Sequence, residues 1–75
     1  MIIYVVSMEG TPIAVFDNET AVVKLLINEI IMCEGDTVFV DEELEKPSTI
    51  EEAEGLCEGF GLEYFVEAFE LNGGV

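Results

Sequence analysis

Leu62-Glu63-Tyr64-Phe65-Val66-Glu67-Ala68-Phe69-Glu70-Leu71 is the stretch on which the architecture of this 75-residue chain turns. Read with alternating faces, it sets Leu62, Tyr64, Val66 and Ala68 on one side, as a strand does. Read with helical spacing, it stacks Leu62, Phe65, Val66 and Phe69 at i, i+3, i+4 and i+7. Periodicity admits both. Aromatic and β-branched side chains fit a pleated, half-buried surface, so a strand is expected. Phe65 and Phe69 then share with Glu63 and Glu67 the face opposite Tyr64 and Val66. Phenylalanines between carboxylates suit the anchors of a protein interface. The same two rings would equally serve in a core or against a helix.

Upstream, residues 49–58 read as a helix. Ser48-Thr49-Ile50-Glu51 matches the capping box, in which a serine and a glutamate satisfy each other's orphan backbone donors. Ile50, Ala53 and Cys57 fall on one face, with Glu51, Glu52, Glu54 and Glu58 mostly on the other. Gly55 weakens this helix, and Gly59 and Gly61 stop it. Before it come four acids in five residues, Asp41-Glu42-Glu43-Leu44-Glu45, then Lys46-Pro47. Thr37-Val38-Phe39-Val40 is expected to form a short third strand.

The N-terminal half reads as a hairpin and a helix. Residues 2–8 are rich in β-branched and aromatic types, Glu9-Gly10-Thr11-Pro12 is turn chemistry, and residues 13–16 return as a strand. Asp17 and Asn18 are N-cap candidates for a helix over residues 19–33. In it Val22, Leu26 and Ile30 repeat at i+4, while Val23, Ile27 and Met32 widen the stripe. A helix apolar over so much of its circumference is normally buried on more than one side. The expectation is therefore a homodimer with Val23, Ile27 or Ile31 at or near its interface. The overall expectation is a single α+β domain of order ββαβαβ, helices on one face of the sheet, and a flexible tail at 72–75.

Charge narrows function. Seventeen carboxylates stand against two lysines, with no arginine or histidine, for a formal charge of −15. Such a charge repels itself and destabilises the compact state. Half of the chain is nonetheless apolar, which separates it from disordered acidic segments. A compact domain of this size spans about 30 Å, and duplex DNA of that length carries roughly 18 charges. Binding nucleic acid through its own surface is thus nearly excluded. Six acids fall in residues 1–40 and eleven in 41–70: Asp41, Glu42, Glu43, Glu45, Glu51, Glu52, Glu54, Glu58, Glu63, Glu67 and Glu70. Those eleven are the candidate partner-binding residues, because carboxylates on a rigid surface can occupy a basic groove built for phosphates. The plainer account of the same charge is a solvated, solubilising surface.

Catalytic chemistry has little to work with. Neutral-pH catalysis usually needs a histidine, a tuned lysine, an activated nucleophile or a metal. Lys24 and Lys46 look solvated, and Ser7, Thr37 and Ser48 have no candidate base. Paired carboxylates could serve glycoside hydrolysis only beside a substrate cleft. Asp36, Asp41, Glu42 and Glu43 offer oxygen ligands, but no calcium-type loop of alternating acids around a glycine is present. No enzyme activity, cofactor or specific metal is expected. Cys33 and Cys57 are expected to be buried thiols in a reducing cytoplasm. No apolar run reaches the ~18 residues of a membrane span, and Met1-Ile2-Ile3-Tyr4 lacks the basic region of a signal peptide.

Ile3-Tyr4-Val5-Val6, Ala14-Val15-Phe16 before a helix, and Glu63-Tyr64-Phe65-Val66-Glu67 resemble small, mostly uncharacterised bacteriophage accessory proteins of strand-strand-helix-strand layout. The resemblance covers about a third of the chain and carries over no functional residues. It implies an accessory protein made in the cytoplasm of an infected cell, and a strand at the end. Residues 36–61 depart from the pattern as an inserted strand and helix holding most of the acids. Together these observations lead us to expect a non-enzymatic acidic inhibitor that covers the basic nucleic-acid-binding site of a host protein. A restriction or CRISPR effector, a repair enzyme or RNA polymerase would fit. The alternative is an acidic homodimeric structural or adaptor module whose charge serves only solubility.

Overall fold

The computed structural model describes residues 1–70; the expected tail at 72–75 lies outside the described residues. Strands β1 (Ile2–Met8) and β2 (Thr11–Phe16) form an antiparallel hairpin. Its turn is shorter than the sequence suggests. Only Glu9 and Gly10 connect the strands, at φ 52° and 85°, and two left-handed residues give the turn whose twist matches the strands. Thr11 and Pro12 therefore belong to β2. Val6 pairs with Ala14 and Ser7 with Pro12, so Ile13 is the extra residue of a β-bulge.

The closing stretch is a strand, β3 (Tyr64–Glu70). It pairs antiparallel with the other side of β1, Ile2 opposite Glu70 and Met8 opposite Tyr64, giving the order β2-β1-β3. The first helix, α1 (Glu19–Glu34), starts where Asn18 accepts the Ala21 N–H at 2.8 Å. It ends at Gly35, whose φ of 106° suits a residue without a Cβ.

Residues 37–40 are not a strand, which corrects the expected order. Helix α2 (Val38–Asp41) is a single turn, with the Asp41 N–H donating to the Thr37 carbonyl at 2.8 Å. The Thr37 hydroxyl donates to the Asp41 carboxylate at 2.7 Å and locks that turn. Val38 and Phe39 are both buried, and two consecutive buried residues fit a helical turn against a core better than an alternating strand. The element order is ββαααβ.

Helix α3 (Ile50–Gly59) begins one residue later than the Ser48-based capping box implies. Thr49 is extended (φ −125°, ψ 159°), and its hydroxyl accepts the Glu52 N–H at 3.2 Å. Glu52 reaches back to accept the backbone N–H and the hydroxyl of Ser48, each at 3.0 Å. The threonine supplies the same chemistry one position on, with Glu52 rather than Glu51 as its acidic member. Those bonds, the backbone one foremost, hold the Glu52 carboxyl below its ordinary range. The starts of α1 and α3 are tied together by Glu19, whose carboxylate accepts the Ile50 N–H at 3.1 Å.

The buried core joins Val6 of the sheet to Val22, Leu26 and Ile30 of α1, Val38 and Phe39 of α2, and Ala53 and Cys57 of α3. Tyr4, Ala14, Phe16, Tyr64 and Val66 pack against it from the strands. Cys57 is fully enclosed, and burial first, then the nearby Glu54 and Glu29 charges, push its thiol up to about 11. Cys33 departs from expectation. It lies in the last turn of α1, beyond the last buried residue Ile30, and is exposed.

Candidate partner interface

Helix α3 runs beside β3 and leaves a groove of about 650 Å³ between them. Glu51, Glu54, Gly55 and Glu58 line it from α3, with Leu62, Glu63, Tyr64 and Phe65 from the chain entering β3. Helical spacing explains the first set, because positions 51, 54 and 58 stand at i, i+3 and i+7. Four carboxylates thus surround an apolar, partly aromatic floor. Glu51, Glu58 and Glu63 are exposed, and Glu54 is half-buried. Glu54 also accepts the Val66 N–H at 3.2 Å, on the edge of β3 away from β1. The Tyr64 hydroxyl donates to Glu29 of α1 at 2.7 Å. Burial, then this bond, keep that phenol protonated far above its ordinary range.

Around the edge of β3, the groove opens onto the outer face of the sheet. The cross-strand register builds this face in rows: Ile3 beside Phe69, Val15 beside Val5 and then Glu67, and Ser7 beside Phe65. It is largely apolar and, among the described residues, uncovered. Val15 is 60 % exposed, Phe65 57 %, Phe69 46 % and the bulge residue Ile13 43 %. These exposures place Phe65 and Phe69 outside the core. Phe65 belongs to both surfaces, so acidic groove and apolar face are continuous.

The structure gathers four of the eleven candidate acids, Glu51, Glu54, Glu58 and Glu63, around the groove. Glu67 stands on the outer face between the two phenylalanines, and Glu70 is exposed at the end of β3. Asp41, Glu42, Glu43 and Glu45 are exposed along α2 and the segment after it, against α1 rather than in the groove. Glu52 is turned toward Ser48. Val23 is buried within the monomer, and Ile27 and Ile31 are half-buried against the same core. Much of the apolar surplus of α1 is therefore used internally.

Sequence reasoning missed Ile3, Val5, Ile13 and Val15 as companions of Phe65 and Phe69. A signal was present, since Ile2-Ile3-Tyr4-Val5-Val6 is apolar on both faces while few elements remain to cover two. The shape also changes the charge comparison. The long axis is 49 Å, so 15 net charges amount to about one per 3.3 Å, the spacing of a single nucleic-acid strand rather than a duplex.

Among the described residues, no group of three or more acids or cysteines is gathered closely enough to hold a metal ion. No helix among them is long and apolar enough to cross a membrane. No protein-family model, curated protein or solved structure matches the chain.

Proposed function

We propose that this chain is a non-enzymatic, phage-type acidic inhibitor that binds the basic nucleic-acid-binding site of a host protein. Helix α3 presents carboxylates beside β3, an acidic surface of the kind that can occupy a basic groove built for phosphates. The observation that carries the reading is the groove, where Glu51, Glu54, Glu58 and Glu63 converge from two elements. Lysines and arginines of a phosphate-binding site would form charge-assisted hydrogen bonds to such a group. Opposite potentials would also speed the encounter.

The test is capture from a bacterial lysate on immobilised protein, eluted with a salt gradient, with single-stranded and duplex DNA as competitors. A captured nucleic-acid-binding protein should elute at moderate salt and be displaced by DNA. Glu51→Lys, Glu58→Lys and Glu63→Lys together should abolish capture, while Asp36→Lys with Glu42→Lys should not. Glu52 and Glu54 are unsuitable for this series because both hold backbone donors. Glu19 is an unsuitable control because its carboxylate accepts from the Ile50 N–H. Capture insensitive to DNA and to the triple reversal refutes the proposal.

A homodimeric structural or adaptor module is the second reading, favoured by the uncovered apolar face of the sheet. An assembly of that kind persists in high salt, whereas the acidic complex dissociates.

A further inference from the structure

The groove accounts for charge but leaves the outer face of the sheet without a use. Ile13, Val15, Phe65 and Phe69, with the half-buried Ile3 and Val5, put on the order of 500 Å² of apolar surface in water, the size of the largest patch on a typical monomer, which is often functional. The charged side chains bordering it are all carboxylates. Glu67 stands between the phenylalanines, Glu63 lies beyond Phe65, and Glu51 and Glu58 follow across the groove. The two lysines lie elsewhere, Lys24 on α1 and Lys46 in the segment after α2.

That border discriminates between occupants. A second copy stacked on this face would bring its own Glu63 and Glu67 against these, adding like charges at the contact to the repulsion between two domains of −15 each. A partner segment with apolar residues toward the sheet and lysine or arginine along its flanks would bury the patch and neutralise its rim together. We infer that the outer face of the sheet docks an amphipathic basic segment of the partner, with Phe65 and Phe69 as its anchors and the groove taking its flanking cations. This inference rests on the proposed acidic-inhibitor reading and adds to it an apolar anchor that charge alone does not supply.

Three synthetic peptides test it against the full chain: a basic amphipathic helix with leucine on one face, the same peptide with those leucines replaced by serine, and the leucine peptide with its basic residues replaced by glutamate. Fluorescence anisotropy measures affinity, and amide chemical shifts map the site. The basic amphipathic peptide should bind at least about tenfold tighter than its serine counterpart, with shifts centred on Val5, Val15 and Phe65. Phe65→Ser with Phe69→Ser should remove that advantage. Val15→Ser, on the other edge strand, should reduce it severalfold and serves if the double variant does not fold.

Equal binding of the two basic peptides overturns the apolar anchor while leaving the charge reading standing. Absence of binding by either overturns both. Equal binding of the glutamate peptide overturns the charge match. Self-association of the free protein that Val15→Ser abolishes identifies a second copy as the occupant and overturns the inference.

Discussion

The two faces of the same three strands are alike in composition and opposite in fate. On one face, Tyr4, Val6, Phe16, Tyr64 and Val66 pack into the core with helix residues; on the other, Val15, Phe65 and Phe69 stay exposed among the described residues. Hydrophobicity therefore does not mark the core here. What marks it is contact with the buried residues of α1, α2 and α3.

The strongest way to break this comparison is to truncate one residue on each side of it. Leu26→Ala, at a fully buried position, should cost about 3 kcal/mol in urea denaturation. Val15→Ala should stay within about 0.5 kcal/mol. A comparable loss at Val15 would mean that the outer face is covered in solution.

The margin between the faces is sharpened at Glu54. Glu54→Ala removes the acceptor of the Val66 N–H and should cost about 1 kcal/mol. Glu54→Gln keeps an acceptor oxygen and should largely preserve stability while lowering the groove's negative charge. Equal losses in both variants would show that the charge, not the bond, matters there. Thr49→Ala, which removes the N-cap of α3, should also cost about 1 kcal/mol, read from the same denaturation curves.

A smaller effect reports enclosure of the inner side. The Cys57 thiol rises from 9 to about 11 on folding, so the unfolded chain gives up its proton first. Its contribution to stability is complete below pH 9, declines above it and is lost as pH passes through 11. Cys57→Ala should flatten the alkaline fall in stability by up to one proton's worth, measured by denaturation at a series of pH values. An unchanged slope would place the thiol in contact with water.

Much of this architecture was legible because each element carries local instructions. Asn18 and Gly35 bound α1, Ala53 and Cys57 identify the buried side of α3, and the alternation of Tyr64, Val66 and Ala68 made β3 readable once β1 could supply a partner. Residues 37–40 were not legible. Four residues serve either a strand or one helical turn, and β-branched content favours the strand until Phe39 and Val38 are both needed in the core. Burial at Cys33 was misjudged because the apolar stripe of α1 continues in sequence past the point where the core stops. In the candidate site, the acids of α3 could be read from helical spacing. Their meeting with Glu63 and Phe65 could not, because that depends on where α3 lies along β3. Glu52 and Glu54 looked like interchangeable surface charges, and only three-dimensional contact shows that they hold backbone donors.

One feature of the strand margins reaches further than stability. The free side of β2 carries Pro12, which has no N–H to share, and a bulge at Ile13, while on β3 the Val66 N–H is already taken by Glu54. A sheet is a potential polymer that grows by adding strands at its ends, and each end here carries a feature that opposes it. An added strand would find no donor at Pro12 and none free at Val66, so edge-to-edge pairing is disfavoured at those positions.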